Sequence, residues 1–317
     1  MNDTAGVFKK SKPTNQKERT KGGIVMKNLI GNIVILTMLV CLMVLMLPVI
    51  TEAQDIRLIV RGDDMGMTEG SLEAFEQAFN NGVLTCGAIQ APAPWFEGAA
   101  ELCRKNPGWC VGVHLCLIGE WIGYRWRPVL PWSEVSSLVN EDGYLYRYPE
   151  ELFEQKPKLE EIEAEFRAQI ELVLKHGVNV QYLDTHYLGY TSYPGIEDVF
   201  KKLGREYDLP ISSMMGESRP GSVYGAPVDE KKALAVEMLE NLEPGLWLWV
   251  NHIGIDSPEQ NALIHKKPEH IFVNGGVGKH RAAELELLTS IEVKSIILKK
   301  GIKLTNYREL WEERKKK

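Results

Sequence analysis

Ile56-Arg57-Leu58-Ile59-Val60-Arg61-Gly62-Asp63-Asp64 is an apolar run that ends in two adjacent aspartates. Residues 56–62 read as a largely buried strand, and Gly66 and Thr68 then open a helix from about Ser71. Two carboxylates at the C-terminal edge of a strand are costly to bury unless a cation or a proton neutralises them. Catalytic residues of parallel α/β folds occupy this same edge. The plainer alternative is a helix N-cap with a solvated neighbour.

Working outward, strand-like and helix-like segments alternate. Helix 71–80 leads to strand 83–90, and helix 94–105 to strand 111–117. An aromatic-rich segment, 118–157, interrupts the rhythm. It resumes with helix 158–176, strand 180–183 and helix 195–207, followed by a short strand near 210–213 and a Gly/Pro/Ser-rich loop. Helix 229–240, strand 246–251, helices across 281–300 and strand 302–305 complete the series. Repeated βα units with apolar strands predict a parallel sheet covered by helices. So many units in one undivided domain predict a closed or nearly closed barrel over 54–317.

The first 53 residues differ in kind. They carry seven Lys/Arg against three Asp/Glu, in a chain whose net charge is −6. The body is therefore acidic, which argues against nonspecific nucleic-acid binding. Lys27 precedes an apolar stretch from Leu29 to Ile50, with Thr51-Glu52-Ala53 as a cleavage site. Residues 26–53 thus read as an export signal or, uncleaved, as a membrane anchor. Residues 1–25 read as a disordered basic extension upstream of a second start at Met26. Both alternatives predict an exported body, touching a membrane only through this segment. Of the body's four cysteines, Cys103 and Cys110 flank the Asn106-Pro107-Gly108 turn and could pair; the alternative is buried free thiols.

Polar residues interrupt the later strands too. His114 lies within Val111-Gly112-Val113-His114-Leu115-Cys116-Leu117, sharing a face with Gly112 and Cys116. Asp184 and His186 close strand 180–183 and project to one side if the chain stays extended. His252 follows Leu246-Trp247-Leu248-Trp249-Val250-Asn251 directly. One Asp and two neutral His make a three-point site for a divalent cation, with room for water and substrate. Asp64, His114 and His186 fit the ligand roles, Asp63 a general base and His252 a general acid. Each could also be a satisfied core residue. Their convergence on four strand ends is what favours a site. His176, His265, His270 and His280 read as solvated. The aromatics of 121–148 either pack over the barrel mouth or form a sugar-stacking wall. The chain lacks a phosphate-binding loop and a G-x-S-x-G elbow.

These residues resemble a known family. Asp63-Asp64-Met65-Gly66-Met67-Thr68 is similar to the D-D-F-G-L-S opening of the YdjC/ChbG-type carbohydrate deacetylases. Gly112-Val113-His114-Leu115 resembles its G-x-H-L strand, Arg127-Pro128-Val129 its R-P-V segment and Asp184-Thr185-His186 its D-[ST]-H motif. The tail to Leu310 is similar as well. The resemblance implies a distorted TIM-like (β/α) barrel and metal-dependent removal of N-acetyl groups from amino sugars in oligosaccharides. It implies one Mg or Zn ion on Asp64, His114 and His186, Asp63 as base and His252 as acid. Two departures stand out: Arg61 precedes the aspartates, and Tyr182 and Tyr187-Leu188-Gly189-Tyr190 stand where many members carry further histidines. A silent carbohydrate-binding protein and a hydrolase of another sugar ester or a phosphoester are the alternatives. A homo-oligomer is compatible with the sequence, which specifies no interface.

Overall fold

In the computed structural model the described residues are 37–38, 55–265 and 276–316. The chain divides into two compact units, 1–53 and 54–317. The second contains β1 (Ile56–Met65), α1 (Glu69–Asn81), β2 (Cys86–Ile89), α2 (Phe96–Lys105) and β3 (Cys110–Leu115). Then come β4 (Trp121–Ile122), α3 (Pro149–Glu154), α4 (Leu159–Lys175), β5 (Val180–Thr185), α5 (Ile196–Glu206), α6 (Lys231–Glu240) and β6 (Gly245–Asn251). Last are α7 (Pro258–Asn261), β7 (Ile264–His265), α8 (Gly276–Thr289), α9 (Ile291–Lys299), β8 (Lys303–Leu304) and α10 (Tyr307–Lys315).

The main sheet runs β5-β3-β2-β1-β6, all parallel, with β8 beside the start of β1. Among the described residues no regular strand closes the ring. Isolated parallel bridges do so instead, Leu183 to Ile211 on one side and Ser218 to Trp247 on the other. Leu183 N–H donates to Pro210 O at 2.9 Å and Leu248 N–H to Ser218 O at 2.8 Å. The expected strand near 210–213 is reduced to this seam because Pro210 has no N–H to pair and Ser213 turns to φ 66. The result is a distorted (β/α) barrel.

Strand alternation separates two cores. Outward-facing Leu58, Val60, Val111, Val113 and Leu183 pack under the helices. Inward-facing Ile59, Cys86, Cys110, Tyr182 and Leu248 fill the barrel, and Tyr307 and Leu310 of α10 join them. Tyr182, one of the departures from the family pattern, is thus a core residue. Its hydroxyl donates to Gly87 O at 2.9 Å, and its ring occupies the space beside Gly112, where an added Cβ would lie 2.5 Å away.

The interrupting segment lies against α4. The buried Glu165 carboxylate accepts the N–H groups of Val129 and Leu130 at 2.8 and 3.0 Å. Trp121, Trp126 and Tyr148 of this segment are buried, so its aromatics mostly pack rather than form an open wall.

The cysteines take the second of their two expected states, and the expected location is corrected. All four body cysteines are free and buried; Cys110 faces the barrel interior, whereas Cys103 lies outside it against Met65. The exported or membrane-anchored location is corrected: no helix among the described residues is long and apolar enough to cross a membrane. The 26–53 segment on which that expectation stood lies, apart from Thr37 and Met38, outside the described residues.

Candidate active site

Strand β1 supplies two carboxylates. Alternation turns Ile59, Arg61 and Asp63 inward and would turn Asp64 outward. The register to β2 steps from Gly62–Gly87 to Met65–Ile89, so three residues of β1 span two of β2, a bulge. Asp64 takes φ 65 there, a left-handed conformation costing on the order of 1 kcal/mol for a non-glycine residue. The bulge thereby brings both aspartates to the same cavity.

Strands β3 and β5 bring the histidines. Asp64 Oδ1 lies 3.4 Å from His114 Nε2 and 3.0 Å from His186 Nδ1, and the two ring nitrogens are 3.3 Å apart. Donors bound at ~2.1 Å to one cation would be separated by about 3.0 Å at right angles and about 3.4 Å at the tetrahedral angle. The spacing fits a single first-row or magnesium-sized ion.

The remaining nitrogens explain the protonation. His114 Nδ1 is 2.9 Å from Asp184 Oδ1, and His186 Nε2 is 3.1 Å from Glu120 Oε2. With N–H groups directed at those carboxylates, neutral imidazoles would turn both inward nitrogens to Asp64 Oδ1 as lone pairs. Three buried lone pairs facing one another call for a positive charge between them, a metal ion or a proton held by the imidazoles. The other Asp64 oxygen, Oδ2, accepts from Arg281 at 2.7 Å. Burial pushes the Asp64 carboxyl up, but Arg281 and His186 outweigh it and hold it well below the usual carboxylate range.

Asp63 points away from this triangle into a guanidinium fork. Arg61 Nε and Nη2 donate to its two oxygens at 2.6 and 2.8 Å. Arg61 Nη1 reaches Ser212 Oγ at 2.6 Å and Asp184 Oδ2 at 2.9 Å. Burial raises the Asp63 pKa, and Arg61 and His114 more than reverse it, leaving it below the ordinary value. His252 sits across the cavity just past the end of β6, its backbone N–H donated to Glu284 Oε2 at 2.7 Å and its ring 4.4 Å from that of Tyr224. Burial lowers its pKa despite the two aspartates.

All five sequence-predicted residues line one cavity of about 400 Å³. Asp184, Glu120 and Arg281 join the site through its hydrogen bonds without having been assigned a role. Of these, only Asp184 had a sequence signal, the D-T-H run. His265 is not a solvated bystander: β7 pairs with β4, and its ring lines the cavity edge-on to Trp121. His280 is buried, and His176 packs against Phe96; His270 lies outside the described residues.

A (β/α) barrel with an N₂O cluster and a second carboxylate at its strand ends defines a metal-dependent hydrolase type of centre. The chain belongs to the YdjC-like protein family, whose model matches residues 57–299. An Enterococcus faecalis protein named carbohydrate deacetylase is 28% identical over 270 residues, covering 80% of this chain and 98% of that protein. A Thermus thermophilus carbohydrate deacetylase is 30% identical over 230 residues, covering 65% and 80%. A solved Enterococcus faecalis structure named for cellobiose-phosphate cleavage superposes with a TM-score of 0.65 at 28% identity, covering 81% of this chain and 99% of that one.

Proposed function

We propose that this protein is a divalent-metal-dependent carbohydrate deacetylase that hydrolyses the acetamide of an amino sugar within an oligosaccharide. The observation that carries it is the convergence of Asp64 Oδ1, His114 Nε2 and His186 Nδ1 at 3.0–3.4 Å in an open cavity, with a second carboxylate alongside. Two imidazoles suit zinc, and the surrounding carboxylates suit magnesium. Bound there, the ion would acidify a water and polarise the acyl oxygen.

The chain's own groups do the rest. Asp63, kept ionised by Arg61, accepts the proton of the attacking water. The same ion pair makes it a weaker base than a free carboxylate, in exchange for a fixed orientation. His252 protonates the departing amine, and its lowered pKa makes its imidazolium a stronger acid than an ordinary histidine's. Arg281 holds Asp64 so that one oxygen stays directed at the cluster. A phosphoester substrate is less well served: Arg61 is committed to Asp63 and Asp184, leaving Arg219 as the other arginine of the lining.

The test is acetate release from N-acetylglucosamine oligomers with zinc or magnesium, with chelator, and with Asp63→Asn. Release should require metal and fall by roughly 10²–10⁴-fold in Asp63→Asn, while that variant still binds the ion. Full activity of Asp63→Asn would remove the base from this account.

A further inference from the structure

The geometry points to Tyr187 as the stacking platform for the sugar ring adjacent to the one held at the Asp64–His114–His186 cluster, making it the residue that selects oligomers over monomers. This rests on the deacetylase reading and assigns the part of its cavity that faces the rest of the chain.

Three observations carry it. First, Tyr187 occupies the centre of a γ-turn. Leu188 N–H donates to His186 O at 2.6 Å, and Tyr187 has φ 60. A positive central φ is the rarer, strained hand of this turn and is a true outlier for a bulky aromatic. Glycine or asparagine would fill the position more easily. Second, both flanks are pinned, so the strain has no local release. His186 is held by its ring contacts in the cluster and by its N–H to Leu115 O at 2.9 Å, and Leu188 is buried in the core. With its neighbours turned inward, Tyr187 is directed to the cavity mouth.

Third, the ring is available there. Tyr187 lines the cavity yet is 44% exposed. The other aromatic walls are engaged: Trp121 is 1% exposed and edge-on to His265, and the Tyr224 ring lies against His252. The Tyr187 ring centre is 6.1 Å from that of His186, within reach of a sugar ring next to the one that reacts at the cluster. Pyranose rings present apolar C–H faces, and an open phenol ring is suited to cover one. Strained backbone maintained at a functional site by its surroundings is a recognised pattern.

The experiment measures binding of N-acetylglucosamine and its trimer to the zinc-loaded Asp63→Asn protein by calorimetry, alone and combined with Tyr187→Gly or Tyr187→Phe. Acetate release is followed in the Asp63 background. Tyr187→Gly should weaken trimer binding fivefold or more and leave monomer binding within twofold. Its melting temperature should stay level or rise, because glycine relieves the turn. Tyr187→Phe should keep trimer affinity. A trimer effect below fivefold, or an equal loss for monomer and trimer, overturns the platform. Tyr187-dependent trimer binding without acetate release would leave the platform standing and remove the deacetylase reading; failure to bind either sugar removes both.

Discussion

Each imidazole of the centre is held between a carboxylate behind it and Asp64 in front, and this makes protons and metal competitors. Burial lowers the His114 pKa, but Asp184 and Asp63 prevail and raise it to about 9; His186 is raised too, chiefly against burial by Glu120. A histidine whose folded pKa is raised stabilises the fold fully below its unfolded value, and that contribution is lost as pH climbs through about 9. Since a metal must displace this proton, zinc affinity should climb with pH and level off above about 9. Competition with a chromophoric chelator across that range tests it, and a flat profile would contradict the assignment. Asp184→Asn should weaken the ion by about 10–100-fold and flatten the profile. The candidate ligands were legible because each is polar in or at the end of an apolar strand, His114 alone within one, Asp64 and His186 near a further aspartate at two strand ends. Glu120 and Arg281 were not: one comes from an irregular loop, the other from a helix more than two hundred residues from the aspartate it holds.

Among the elements, the strands were legible by alternation and the places where alternation breaks were not. The bulge that turns Asp64 inward and the extra residue Gln181 in β5 depend on register with a neighbour, which no single segment encodes. At the seam, a short strand near 210–213 was legible, but its reduction to isolated bridges depends on its neighbours too. Helix α10 was not among the expected elements, although Asn306 accepts the Glu309 N–H at 3.0 Å as its N-cap, a residue type that favours a helix start. Inside the barrel the pairing of a glycine with a large ring is specific to β3 and β5. Gly112→Ala should destabilise by ~1–3 kcal/mol through overpacking against Tyr182. Tyr182→Leu makes room but leaves Gly87 O without its donor, costing about 1 kcal/mol or more. The double variant should then be more stable than the sum of the singles, and urea denaturation of all four proteins measures the coupling. Strict additivity would mean the two sites relax independently.

At the scale of the whole molecule, α8 links the two halves of the chemistry. Arg281 holds Asp64, and one turn later Glu284 accepts the His252 N–H at 2.7 Å through Oε2. Its Oε1 pairs with Lys231 of α6 at 2.7 Å, and both partners are buried. Lys231 Nζ also donates to Val223 O and Tyr224 O at 2.7 and 3.0 Å, fixing the loop whose Tyr224 ring lies tilted against His252. Breaking the pair on one side, as in Lys231→Met, leaves a buried carboxylate uncompensated and should cost ~3–5 kcal/mol. Replacing both, Lys231→Met with Glu284→Leu, removes the stranded charge, and stability should largely return. Acetate release should not return with it, because the backbone of His252 and the Tyr224 loop have lost their common anchor; a displacement near 1 Å is worth roughly 10²-fold in rate. Denaturation midpoints and turnover of the single and double variants separate the two effects. A double variant that regains both stability and rate would show that the pair supports the fold without orienting His252.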